Sequence, residues 1–338
     1  MNSSELLISK NMGYVKKGII WGLLSGVLCG FLTIFEDKGL GTEPFVSAGA
    51  LSLMAVPIVF GFLQDLSSWL CVLIANIANG KGREYLRAVK TKPFLLLAIG
   101  AIVGGPGAAC FYLCGVFFAG PFYPVVLSAT FPAFGAILAR VVLKEKIDLR
   151  MWCGILLAVI GAIVVSWVSG GVDISAYPHF TLGIIFGILA ALGWAVEGVI
   201  SNAGMDFIDP EVANGVRYSV SVLFYMIIGI PFISGIGLTG GYALVGSSFA
   251  SKALLFAFLA GAVEGIGYYF YYKSCNACGS SRGMTLNSTY TAWSCIICAV
   301  FYREALPVTF WIGLVVIIFG GFLIAGNPTK IFSLRDTD

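Results

Sequence analysis

The two halves of this chain repeat each other. Leu143-Lys144-Glu145-Lys146-Ile147, then Trp152-Cys153-Gly154 and Gly161, returns as Tyr302-Arg303-Glu304-Ala305-Leu306, Trp311-Ile312-Gly313 and Gly320. Glu, Trp and both glycines match at one offset, 159 residues. Gly18-Ile19-Ile20-Trp21-Gly22-Leu23-Leu24 likewise returns as Gly183-Ile184-Ile185-Phe186-Gly187-Ile188-Leu189, and Gly39 returns as Gly204. Both strings lie in long apolar runs, so the fold must contain two related apolar half-bodies. Such a pair, exchanging between two arrangements around a central site, points to a secondary transporter.

Composition says where those bodies sit. The chain is 59% hydrophobic and 11% charged, with a mean hydropathy of +0.94. Soluble domains carry about 25% charged residues, so most of this surface faces a lipid bilayer. The 43 glycines suit close helix contacts in lipid, where no hydrophobic force drives helices together. A net charge of +3 makes nucleic acid a poor partner. Most of the nine cysteines lie in apolar runs. Cys275-x-x-Cys278 with Cys295-x-x-Cys298 has zinc-ribbon spacing, yet the second pair falls within an apolar helix, so no metal or cofactor is expected. Gly235-Ile236-Gly237-Leu238-Thr239-Gly240 fits the dinucleotide fingerprint without a βαβ frame, and is read as a glycine-rich loop.

A bilayer-crossing helix needs about 20 apolar residues. The runs are 18–35, 45–63, 94–117, 121–142, 150–168, 180–203, 212–234, 253–273, 284–302 and 308–325. Residues 66–79 are read as a continuation of the second helix, kinked or tilted about Gln64-Asp65. The expected fold class is an all-α membrane protein of ten transmembrane helices in two inverted five-helix repeats. The parts expected are a cytoplasmic segment 1–13, repeats at 14–168 and 180–327, a linker 169–179 and a cytoplasmic tail 328–338. With both termini inside, 17 of the 20 lysines and arginines fall on the cytoplasmic side, as the positive-inside bias requires. An eleventh span before the third run would expel most of them. Five spans per half is an odd number, so the second half enters the bilayer upside down. The apolar run after Lys16-Lys17 is not read as a signal peptide, because it has a counterpart in the second half. A bacterial inner or plasma membrane is the expected location.

With these features together, the chain resembles the drug/metabolite transporter superfamily, EamA-like branch. The resemblance rests on Lys144-Glu145 with Trp152-Cys153-Gly154, and on Arg303-Glu304 with Trp311-Ile312-Gly313. Glu43-Pro44 also matches Asp209-Pro210, and Arg217 stands in the seventh span where such proteins often carry an arginine. It covers roughly residues 14–327. It implies ATP-independent movement of small metabolites through a cavity lined by spans 1, 3, 4, 6, 8 and 9. The long second helix and the loop 80–92 depart from the family pattern.

An ionised side chain at the bilayer centre costs about 2.5–3.5 kcal/mol or more, so buried acids are functional candidates. Glu197 shares a helix face with Trp194 and Ser201. Glu264 precedes Tyr268, Tyr271 and Tyr272 on one side of span 8, with Tyr271 and Tyr272 read as an interfacial belt. Aromatic faces beside a carboxylate suit a cation. Asp65 is a third candidate, at a kink or paired with a base. Arg217 is read as a structural residue near the inner end of span 7, where its guanidinium can snorkel or tie to the loop acids Asp206, Asp209 and Glu211. Glu145 and Glu304 are read as packing residues of the repeat. Further cavity candidates are Trp21, Asn202, Asn287, Tyr290 and Trp293. Gly104-Gly105-Pro106-Gly107 is a candidate hinge, and Gly22, Gly26 and Gly30 a packing face. The expected cargo is a small cation or zwitterion, such as a quaternary ammonium compound, an amine or an amino acid. Glu264, Glu197 and Asp65 are the candidates for coupling to protons, since a carboxyl kept protonated by desolvation can release its proton when wetted. The alternatives are a neutral or anionic metabolite, another coupling ion, or a receptor without transport. With no histidine in a span and no ligand-spaced cluster, an enzyme is not expected. A monomer or a homodimer would serve.

Overall fold

A computed structural model describes residues 3–142, 149–166, 177, 179–278, 280–303 and 305–324. The described residues are 87% helical, with no strand among them. Among the described residues, six helical rods are long and apolar enough to cross a bilayer unaided: span 1 (Gly13–Leu40), span 2 (Ala55–Ala78), span 3 (Pro93–Ala119), span 6 (Phe180–Met205), span 7 (Pro210–Ile233) and span 8 (Lys252–Ala277). Spans 4 (Phe122–Leu138), 5 (Leu149–Val165) and 10 (Val308–Ile324) are shorter apolar rods. Span 9 is the helix pair Ser280–Ser288 and Tyr290–Tyr302.

Three expectations need correcting. The second span starts at Ala55, because Phe45–Gly49 forms a separate short helix. From Ala55 the helix runs unbroken to Ala78, with Asp65 inside it. Gly237–Ser248 is a helix rather than a loop, although Gly235 just before it and Gly237 at its start take left-handed φ of 75° and 71°. The loop 80–92 likewise contains a helix, Gly82–Ala88.

The inverted repeat is visible in the packing. Span 1 lies on span 8 and span 6 on span 3; span 1 lies on span 9 and span 6 on span 4. Each contact thus has its counterpart in the other half, while spans 5 and 10 pack on each other. The repeated glycines show the sense of that last contact. A Cβ on Gly154 would stand 2.6 Å from the Gly320 carbonyl oxygen, and one on Gly161 2.8 Å from that of Gly313. The earlier residue of span 5 therefore meets the later residue of span 10, so the helices are antiparallel, as oppositely inserted halves require. Glycine is needed because backbone meets backbone there. Gly154→Val is expected to cost about 1–3 kcal/mol or more by overpacking. Gly246→Ala, whose added Cβ has nothing within 4 Å, is expected to be neutral. Thermal unfolding in detergent compares the two.

Spans 4 and 9 both break, and at the same repeat position. Span 4 divides between helices Phe122–Ser128 and Phe131–Val142, span 9 at Thr289. Thr130 Oγ1 donates to the Leu127 carbonyl and Thr289 Oγ1 to that of Leu286, both at 2.7 Å. The breaks meet where Tyr290 and Ser128 share a 2.5 Å hydroxyl contact. Span 3 is loosened where a hinge was expected: Val103–Ala109, around Pro106, is π-helical. Gly22, Gly26 and Gly30 face Leu286, Thr289 and Trp293 of span 9. Of the repeated motif, Arg303 ends span 9 in the left-handed region at φ 56°, a common way for a helix to stop. Lys144, Glu145 and Glu304 lie outside the described residues.

Candidate functional site

The core is crossed by a chain of polar side chains from spans 1, 2, 6, 7 and 8. Arg217, 1% exposed, is its hub. Its Nε donates to Glu197 Oε1 at 2.7 Å, and its Nη2 lies 3.8 Å from Glu264 Oε1. The guanidinium also sits over the rings of Tyr268 (4.1 Å) and Tyr218 (4.4 Å), contacts that a planar, weakly hydrated cation makes well. Arg217 is therefore a central cation and not a snorkelling inner-end residue. Two of the loop acids assigned to it go elsewhere: Asp209 pairs with Lys81 at 2.8 Å, and Glu211 pairs with Lys81 at 2.9 Å and Lys273 at 2.7 Å.

Around Arg217 the acids have separate partners. Tyr272 donates to Glu197 Oε1 at 3.2 Å. Glu264 Oε2 accepts from Gln64 Nε2 at 3.0 Å and from Ser68 Oγ at 3.3 Å. The same Gln64 amide donates to Glu36 Oε1 at 3.1 Å. Asp65 accepts from Ser221 Oγ, a hydroxyl and not a base. Gly104 makes room for this arrangement, since a Cβ there would collide with the Glu197 carboxylate.

Glu197 and Glu264 border a cavity with Asn287. The rings of Tyr112, Trp194, Tyr268, Tyr271 and Tyr290 form much of its wall. Its solvent space is about 40 Å³, room for only a few water molecules. Trp194 is fixed by donation from Nε1 to the Gly104 carbonyl at 3.1 Å and lies 5.3 Å from the Tyr112 ring. Asn287 donates to Ser25 Oγ at 2.7 Å. Among the candidates, then, Glu197, Glu264, Trp194, Tyr268, Asn287 and Tyr290 come together. Trp21 does not join them: its ring lies 4.7 Å beneath Lys273 Nζ. Trp293 is 42% exposed against Gly30. Asn202 is buried outside the cavity wall. Tyr271 and Tyr272 are buried in the core, not in an interfacial belt.

Glu36, Gln64 and Tyr112 were not singled out by sequence. The apolar run in the sequence ends at residue 35, which places Glu36 outside the membrane. The helix Leu32–Leu40 carries it onward into the core. A signal existed: Ser25, Thr33 and Glu36, with Cys29 between them, recur at helical spacing as one buried stripe.

Ties at the two ends join the halves. At one end, Lys81 links the loop after span 2 to the start of span 7, where Glu211 also holds Lys273 of span 8. Burial pulls the Lys81 ammonium down, but Asp209 and Glu211 outweigh it and raise it above its ordinary 10.5. The stability this tie contributes is thus present at neutral pH and lost only as pH climbs through the raised value. At the other end Tyr302 donates to Asp37, and Lys38 lies 4.6 Å over the Tyr302 ring.

The EamA-like transporter family model matches residues 16–167 and 181–326. Protein LicB of Haemophilus influenzae is 28% identical over 294 residues, covering 87% of this chain and 92% of that protein. An uncharacterized transporter of Clostridium kluyveri is 23% identical over 214 residues, covering 62% of this chain and 65% of the relative. A crystal structure at 16% identity matches 91% of this chain and 96% of its own with a TM-score of 0.58, which shows a shared fold. The chain belongs to the EamA-like transporter family and is an integral membrane transporter of the drug/metabolite type.

Proposed function

We propose that the protein carries a small organic cation or zwitterion, with an amine or quaternary ammonium head, by alternating access. The observation that carries this reading is the composition of the cavity wall: two carboxylates, Glu197 and Glu264, among six aromatic side chains, Phe131 included. Rings present negative faces to a cation, and desolvation strengthens that attraction to about 2 kcal/mol or more. No lysine or arginine is among the described residues lining the cavity, which leaves an anionic cargo without a counter-charge. The charge count agrees. Glu36, Asp65, Glu197 and Glu264 are all buried, with Arg217 the one cation among them. Ionised together, they would hold three uncompensated negative charges, at several kcal/mol per ion. A cationic cargo or protons supply the balance, and that gives a route to coupling. The two half-bodies, 14–168 and 180–327, would rock about the site, with both termini cytoplasmic and the Lys81 tie at the inner face of a bacterial membrane.

A thermal-shift screen of the purified protein against amines, quaternary ammonium compounds, sugars, nucleobases and carboxylates tests the reading. A cation at a hundredfold excess over its Kd is expected to stabilise the fold by about 2.7 kcal/mol. Stabilisation by carboxylates or sugars, with none by cations, would overturn it.

A further inference from the structure

We propose that Glu36 is a proton-carrying site, distinct from the cargo cavity, whose proton is released when a cation binds beside Glu264. Glu36 is 1% exposed and does not line the cavity. Its Oε1 accepts from Gln64 Nε2, while its Oε2 has no hydrogen-bond partner. No lysine or arginine lies within ion-pair distance of it among the described residues. Lys38, two residues on, is turned to the Phe301 and Tyr302 rings.

The groups facing Glu36 come from four other spans. Span 8 supplies Glu264, span 2 supplies Gln64 with Asp65 beside it, span 3 supplies Tyr112 and span 9 supplies Tyr290. Cys29 is the titratable neighbour within span 1. The charged members of this set are acids, and the Arg217 guanidinium is turned to Glu197 and Glu264. A bare carboxylate in this position has nothing to offset its desolvation, so the acid holds its proton. A metal cation fits poorly: Glu36 Oε2 and Gln64 Oε1 are the unpartnered oxygens here, and no metal-binding group of His, Cys, Asp or Glu occurs among the described residues.

The Gln64 amide makes the link to cargo. It donates one hydrogen to Glu36 at 3.1 Å and one to Glu264 at 3.0 Å, so the two acids share a single neutral bridge. A cation arriving at Glu264 supplies the positive charge that Glu36 lacks. The Glu36 O–H bond then breaks, its electron pair stays on the carboxylate, and the proton passes to water. Linkage is reciprocal, so protonation of Glu36 weakens cation binding by the same factor. Glu36 lies in the helix Leu32–Leu40, set off from the rest of span 1 at Phe31 and held by the Asp37–Tyr302 tie.

This inference rests on the cavity being a cation site, so its test has two independent readouts. The first is proton release on binding tetramethylammonium, measured by calorimetry in buffers of different ionisation heat. Wild type is expected to release about one proton and to bind up to tenfold more tightly per pH unit. Glu36→Gln is expected to bind with affinity independent of pH and to release none. The second needs no cargo: wild type is expected to show a protonated-carboxyl infrared band that Glu36→Gln loses. If tetramethylammonium fails to bind wild type, the cavity reading fails, while the infrared band still decides the state of Glu36. Unchanged proton release, or an unchanged band, in Glu36→Gln overturns the proposal. Should that variant not fold, Glu36→Asp keeps a titratable group and is expected to keep proton release; its loss in a folded Glu36→Asp protein overturns the proposal as well.

Discussion

Arg217→Met is expected to destabilise the protein by about 3–5 kcal/mol, the usual consequence of removing one partner from a buried ion pair. The guanidinium is 1% exposed, donates to Glu197 at 2.7 Å and lies 3.8 Å from Glu264. Without it, both acids lose their one nearby cation. Methionine keeps much of the side-chain length, so the loss reports charge and hydrogen bonding more than packing. Arg217→Lys should fall between, because a lysine cannot reproduce the planar stack on Tyr218 and Tyr268 or the directed Nε donor. The double variant Arg217→Met with Glu197→Gln is expected to regain a large part of the stability, since removing both charges removes the need for either. A double-mutant cycle in thermal or denaturant unfolding measures the coupling. Wild-type stability in Arg217→Met alone would show that Glu197 is already neutral and that Arg217 is held by its rings.

Glu264→Gln is expected to reduce transport by a hundredfold or more while leaving the protein folded. The amide is nearly isosteric with the carboxylate, and its oxygen can still accept from Gln64 and Ser68. What it loses is the negative charge at the cavity wall. A hundredfold loss corresponds to about 2.7 kcal/mol, within the range for a desolvated charge contact. Flux in proteoliposomes, with unfolding measured on the same preparation, separates this from a folding defect. Full uptake or efflux at neutral pH in Glu264→Gln would remove Glu264 from the transport mechanism. The two variants have opposite signatures: Arg217 is expected to show mainly in stability, Glu264 mainly in flux.

Particular residues show how far the sequence could be read. The glycines at 154, 161, 313 and 320 marked a repeat, and five spans per half made it inverted. The structure places those same glycines backbone to backbone in antiparallel order. Glu197 and Glu264 stood out because an acid deep in an apolar run is costly wherever its partners are. Arg217 reads from sequence as an inner-end residue and Glu36 as lying outside the membrane, for one shared reason: both lie toward the ends of apolar runs, where a local window reads a charge as leaving the membrane. Their burial is set by neighbours remote in sequence, such as Gln64 and Glu264, 200 residues apart.

The sequence by itself determined the membrane environment, the ten crossings and the opposed halves. These follow from hydropathy, period and count, which are properties of short windows and of their order. Only the tertiary structure decided which acid Arg217 pairs with, that one Gln64 amide joins Glu36 to Glu264, and that spans 4 and 9 meet at matched breaks. Hydrogen bonds and ion pairs depend on positions within a few ångströms, and the packing of two repeats against each other brings those positions together.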